Sequence, residues 1–146
     1  MNDVVVSRGA MGSMIEFAVT VDGEFIYSLR ADGLIVATPT GTTAYALSAG
    51  GPILHPALQA IALVPISPHT LSNRPVAIRS SSRVEITLVR GVDARANFDV
   101  QAHVQLEPGD VVCVQTAPKH ATLLHPKGYR YFSMLRQKLR WTERAS

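Results

Sequence analysis

DGLIVATPTGTTAYALSAGGP, Asp32 to Pro52, is the stretch on which the reading of this chain turns. It opens with a short apolar run, LIVAT (Leu34 to Thr38), which reads as a buried strand. Pro39-Thr40-Gly41 breaks that strand. TTAYALSA then reads as a short helix, with threonine supplying the cap and alanine and leucine favouring the interior. Gly50, Gly51 and Pro52 stop it. A strand, a Gly/Thr turn and a helix start make the outline of a nucleotide site. The outline lacks a lysine, so it is not a Walker A loop, and no GxGxxG is present. Two readings of the pattern stand side by side. One is a capped helix with a packed tyrosine. In the other, free amides and hydroxyls at the helix start receive a polar or anionic ligand, with Tyr45 offering a ring for stacking. Asp32 and Ser48 are placed to fix polar edges of the same ligand.

The segments on either side are rich in β-formers. DVVVS, MIEFAVTVDG and EFIYSLRADG read as strands, with Asp22-Gly23 as a hairpin turn. QAIALVPIS, RPVAIRS, SRVEITLVRG, ARANFDVQAHVQL, DVVCVQTA and HATLLHP continue the pattern, separated by Pro, Gly, Ser or Asp. Many short strands at near-regular spacing predict a mainly β, sandwich-like domain. Only YFSMLRQKLRW reads again as a helix, with Phe132, Leu135 and Leu139 on one face.

Composition narrows the classes. The chain has 146 residues, 47% hydrophobic and 17% charged, which suits one domain with a real core. No apolar run approaches the roughly 20 residues of a membrane helix, and MNDVVVSRG lacks the apolar core of a signal peptide. A single cysteine, Cys113, excludes an internal disulfide framework and points to a cytoplasmic setting. Within VVCVQT it is expected to be packed and inert. The net charge of +3 is modest, and much of the excess lies in KGYRYFSMLRQKLRWTER. That segment reads as an amphipathic helix with a solvated basic face. No RNP-type aromatic pattern or KH-type GXXG loop points to nucleic acid. The five histidines show no HExxH or other close metal spacing, and His55 and His69 read as structural or interfacial. Asp93 reads as solvated.

Taken together, DGLIVATPTGTTAYALSAGGPILHP resembles the long Gly/Thr signature of the NAD kinase family. Three further segments agree in order and spacing: Asn2-Asp3, at the place of the family's Asn-Glu or Asn-Asp pair; LVPISPHTLSNRPVAI; and HPKGYRYFSMLRQKLRW. The resemblance covers essentially the whole chain. It implies a phosphotransferase that uses ATP, or in some members polyphosphate, with a divalent cation such as Mg2+, to phosphorylate the adenosine-ribose 2′-hydroxyl of NAD. The family couples an N-terminal α/β domain, carrying Gly-Gly-Asp-Gly, to a mostly β C-terminal domain, and its members are dimers or tetramers. This sequence has no Gly-Gly-Asp-Gly, since Gly50-Gly51 is followed by Pro52. The resemblance therefore implies that residues 1–146 form the NAD-binding C-terminal domain. The catalytic aspartate is expected outside the chain, and no catalytic residue is assigned within it.

Residue by residue, the resemblance places Asn2 and Asp3 against the adenosine and its ribose. It places Thr43, Ala44, Tyr45 and Ser48 along the dinucleotide at the helix start. Asp32 takes a polar edge, with Arg30 close by. Ser67 and Gln101 fall at further ligand-facing positions, and these two, with Arg30, read equally well as ordinary strand or loop residues. An acidic Asp3 suits ribose hydroxyls, which donate to carboxylates in other dinucleotide sites. The alternative is a non-catalytic NAD- or adenosine-binding module, which shares all of these residues.

Overall fold

The computed structural model describes residues 1–141, which divide into two compact units, Met1–Thr116 and the segment from Ala117 onward. The first unit carries ten strands. They are β1 (Asp3–Arg8), β2 (Ile15–Val21), β3 (Glu24–Ala31), β4 (Gly33–Ala37), β5 (Ala60–Ile66), β6 (Val76–Arg79), β7 (Val84–Arg90), β8 (Ala94–Phe98), β9 (Ala102–Leu106) and β10 (Val111–Val114). A 3-10 turn over Thr40–Thr43 leads into the short helix α1 (Tyr45–Ser48). Two antiparallel sheets result, ordered β6-β5-β4-β1-β8-β9 and β10-β7-β2-β3. The mainly β, sandwich-like expectation is met.

The hydrophobic pattern of each strand follows from how many of its faces are covered. β2 and β7 alternate buried and half-exposed residues, so each has one dry face. Their inward residues Ile15, Phe17, Val19, Val84, Ile86 and Leu88 meet Val6, Leu34, Val36, Ile61, Leu63 and Ala96 of the other sheet in the main core. β4 is buried at all five positions. Its second face, with Val5, Ala62 and Val64, packs on Ala46 of α1 and on Leu54 in a smaller core. Unbroken apolar runs such as LIVA and IALV thus mark strands covered on both sides.

Turn chemistry sets the register. Asp22 and Gly23 both adopt positive φ, 52° and 80°, as a two-residue hairpin turn of matching twist requires. ARANFDVQAHVQL, continuous in sequence, is cut into β8 and β9 by Asp99 and Val100, which turn with φ of 52° and 62°. No glycine signals this turn.

Four expectations are corrected. No threonine side chain caps α1; the chain tightens into a 3-10 turn first, and the hydroxyls serve that turn. Cys113 is exposed, because β10 is an edge strand whose Val111 and Cys113 point away from the core. HATLLHP forms no strand. In the second unit, α2 (Tyr131–Lys138) buries Leu135, 2% exposed, while Phe132 is 62% exposed. At eight residues the helix is too short to bring a full i, i+3, i+7 stripe onto one packed face, and Leu139 falls at its C-cap. Thr142, Glu143 and Arg144 of the basic segment lie outside the described residues.

Thr42 fastens the Gly/Thr turn. It is fully buried, its hydroxyl donates to the Pro39 carbonyl at 2.6 Å, and it accepts the Leu54 amide at 3.0 Å. Replacing Thr42 by Val keeps the shape and strands the Leu54 N–H without its acceptor. A loss of about 1–3 kcal/mol is expected, read as a lower urea midpoint, with Thr42→Ser recovering most of it.

Candidate functional site

Side chains alternate along a strand, so the odd-numbered residues of β1 share one face of the six-stranded sheet. Cross-strand register defines the rows on that face. Ile35 pairs with Val5, which pairs with Asn97; Gly33 pairs with Ser7, which pairs with Arg95; Ala37 pairs with Asp3. The β4 side of these rows is apolar and lies under α1. The β8 side is polar and open. Tyr45, the first residue of α1, stands at the boundary and is 46% exposed.

Two depressions meet at this boundary, and both are lined by Ser7 and Tyr45. One, of about 190 Å3, is completed by Asp3, Val5, Asn97 and Val100. The other, of about 270 Å3, is completed by Arg8, Gly9, Ala10, Asp32 and Ile66. The first offers an aromatic ring and an apolar floor beside a carboxylate. The second offers a guanidinium and a carboxylate, paired across 3.0 Å between Arg8 Nε and Asp32 Oδ1. Arg8 is further held by the Gly12 carbonyl at 2.9 Å.

The Asn2-Asp3 pair is fixed to the Gly/Thr turn through the backbone. The Asn2 carbonyl accepts the Thr38 amide at 3.0 Å and the Thr38 hydroxyl at 3.2 Å. Gly41 lies so close that a Cβ there would overlap the Asn2 carbonyl, which is why glycine is required at this point of the turn. Asp99 accepts the Asn2 and Asp3 amides on one carboxylate oxygen, at 2.6 and 3.0 Å. Asp3 itself is 5% exposed. Burial, and after it the charge of Asp99, holds its carboxyl above the ordinary value of 3.8. A carboxylate buried at the wall of a cleft is costly to ionise, and the arrangement suits a donor-rich ligand.

This face belongs to a known family. The family model for the ATP-NAD kinase C-terminal domain matches residues 1–126. The chain is a member of the ATP-NAD kinase C-terminal domain family. It is 60% identical over 143 residues to the NAD kinase of Laribacter hongkongensis, covering 98% of this chain and 49% of that one, and equally identical to that of Chromobacterium violaceum. The chain thus spans about half the length of the curated relatives it matches. Among solved structures, the NAD kinase of Archaeoglobus fulgidus in complex with ATP superposes with a TM-score of 0.82 at 30% identity, covering 95% of this chain and 53% of that one. A yeast NADH kinase complexed with NADH gives 0.75 at 38% identity, covering 78% and 33%.

In this NAD kinase domain the structure brings Asp3 and Tyr45 to one depression and Asp32 and Tyr45 to the adjoining one, with Asn2 and the half-buried Thr43 and Ala44 next to them in the chain. Thr43 donates to the Thr40 carbonyl at 3.2 Å, so its hydroxyl also serves the turn. Ser48, Ser67 and Gln101 are exposed. Ser67 follows Ile66 of the second depression and adopts a φ of 47°, and Gln101 follows Val100 of the first. Arg30 lies apart from these. It is on the four-stranded sheet, where with Ser13, Glu16 and Arg90 it lines a separate depression. His55 accepts the Ala57 amide on Nδ1 at 3.0 Å, a structural contact.

Sequence reasoning passed over Arg8, Ser7, Asn97 and Asp99. Ser7 and Asn97 were legible in principle, as outward residues on strands beside Asp3. Arg8 carried the signal of a charge directly after the VVVS run. Among the described residues, no three carboxylate, imidazole or thiol side chains gather as a metal site.

Because the folded chain holds the Asp3 proton more tightly than the unfolded one, stability falls as pH rises above the ordinary value of 3.8 and levels off once the folded group has ionised. Asp3→Asn removes this penalty. The variant is expected to melt higher than the wild type at neutral pH, with the gap closing below the ordinary value of 3.8. Melting curves across that range check it.

Proposed function

We propose that this chain is the NAD-binding part of an NAD kinase, a phosphotransferase that converts NAD to NADP at the adenosine-ribose 2′-hydroxyl with ATP or polyphosphate as donor. The observation that carries the reading is the cleft at Tyr45, where a half-exposed ring, an apolar floor and the buried carboxylate of Asp3 line one depression. A flat base suits the ring and a ribose diol suits the carboxylate. Asn2, Thr43, Ala44 and Ser48 extend the contact along the dinucleotide, and Asp32 takes a further polar edge. Arg30, Ser67 and Gln101 do not line the two Tyr45 depressions, and a second subunit is one way to bring such residues to a neighbour's ligand. We therefore assign a homo-oligomer, dimer or tetramer.

The chain does not complete the chemistry by itself. Phosphoryl transfer rests on positioning and charge stabilisation. Here no Gly-Gly-Asp-Gly aspartate is present, and a divalent cation would accompany the phosphates of the donor. Catalysis belongs to the N-terminal domain acting on a dinucleotide held here. No described helix is long and apolar enough to cross a membrane, and the single cysteine fits the reducing cytoplasm.

Calorimetric titration with NAD tests the reading. Saturable binding is expected, weakened by about 1–3 kcal/mol in Tyr45→Ala through loss of the stacking face. A folded chain that takes no NAD, or a Tyr45→Ala variant of unchanged affinity, refutes the placement. The chain alone, given NAD, ATP and Mg2+, is expected to form no NADP in a coupled assay. Sustained NADP formation would place a catalytic group within these residues.

A further inference from the structure

The β8–β9 turn is built at a cost. Its two central residues, Asp99 and Val100, adopt left-handed backbone, at φ of 52° and 62°. For a β-branched valine this conformation is strained, and Val100 recovers nothing by packing, since it is 92% exposed. Asn-Gly would make the same turn without strain. A second cost is electrostatic: the charge of Asp99 adds to the burial that opposes ionisation of Asp3.

What these costs maintain is a contact across the sheet. Residue pairing between β1 and β8 ends at Val4 with Phe98. Beyond it, the amides of Asn2 and Asp3 both turn to Asp99 Oδ1, and the Asp99 amide returns a bond to the Asp3 carbonyl at 3.2 Å. A carboxylate oxygen thus stands in for the strand that has run out. A charged acceptor holds amides more tightly than a neutral one. The same turn sets Val100 on the rim of the depression that holds Asp3 and Tyr45.

We propose that Asp99 is a positioning residue for the dinucleotide, clamping the Asn2-Asp3 backbone so that the Asp3 side chain is presented to the cleft in a fixed register. This rests on the NAD-binding reading above. Asp99 touches no ligand in this account and acts through the two residues it holds.

The test compares wild type, Asp99→Ala, Asp99→Asn and Asp99→Glu in this chain. Three readouts are taken: melting temperature, NAD affinity by calorimetry, and amide hydrogen exchange at Asn2 and Asp3 by NMR. Asp99→Ala is expected to weaken NAD about tenfold or more and to speed exchange of both amides by a similar factor, as loss of two bonds to a charged acceptor implies. Asp99→Asn keeps a neutral acceptor at the same reach and is expected to recover part of both readouts, between alanine and wild type. This rescue separates the clamp from a need for charge at residue 99. Asp99→Glu keeps the charge and displaces the acceptor, so it behaves like alanine and stands in if Asp99→Ala does not fold. Unchanged NAD affinity in folded Asp99→Ala, or in Asp99→Glu, overturns the proposal, as does an Asp99→Asn variant no better than alanine. If the wild type takes no NAD, the functional reading fails, and exchange decides the clamp alone: unchanged protection of the two amides in Asp99→Ala overturns it.

Discussion

The close approach of Gly41 to the Asn2 carbonyl ties the two halves of the site together. Backbone meets backbone there, with room for no side chain, and Thr38 secures the same carbonyl from its amide and its hydroxyl. Everything on the cleft side follows from this junction. It aligns the end of β4 with the start of β1, which puts Asp3 opposite Ala37. It launches the 3-10 turn in the direction that lets Ala46 cover the sheet and leaves Tyr45 at the edge of that cover. Moving the junction by one residue would reverse the faces of β1 and send Asp3 into the main core.

A gradient across one sheet face turns this packing into a binding surface. Under α1 the face is aliphatic and dry, with Ile35, Ala37, Ala62 and Val64. Over the next two strands, β1 and β8, it carries Ser7, Asn97 and Arg95. The helix is only four residues long, so its cover stops abruptly between these regions. A ligand with an apolar, flat end and a polar, hydroxylated end matches such a step better than a uniformly polar or apolar one.

Much of this was legible in the sequence, and the exceptions share a cause. LIVA and IALV announced strands buried on both faces, and Asp22-Gly23 announced its hairpin, because local residues alone decide those features. The family resemblance pointed at Tyr45 and at the Asn2-Asp3 pair, and the structure sets Tyr45 and Asp3 around one depression. Asp99 stayed hidden because its partners lie more than ninety positions away and because its turn uses a valine where glycine would have flagged it. Arg8 was missed because its pairing with Asp32 joins the end of one strand to the loop before another. Cys113 misled because VVCV reads as core, whereas an edge strand has one wet face. Phe132 misled for a related reason: helical spacing shows which residues share a side and leaves open how much of that side is covered.

The exposure of Cys113 has a practical consequence. The chain has one thiol, and it lies on the outward face of β10, in the sheet across the main core from the Tyr45 cleft. A fluorophore or spin label can be attached there in a single step, without engineering a cysteine or removing competing ones. Such a probe would follow tumbling, self-association or docking of a separate domain while leaving the Tyr45 cleft untouched. The residue that looked like inert packing is the molecule's ready-made reporting position.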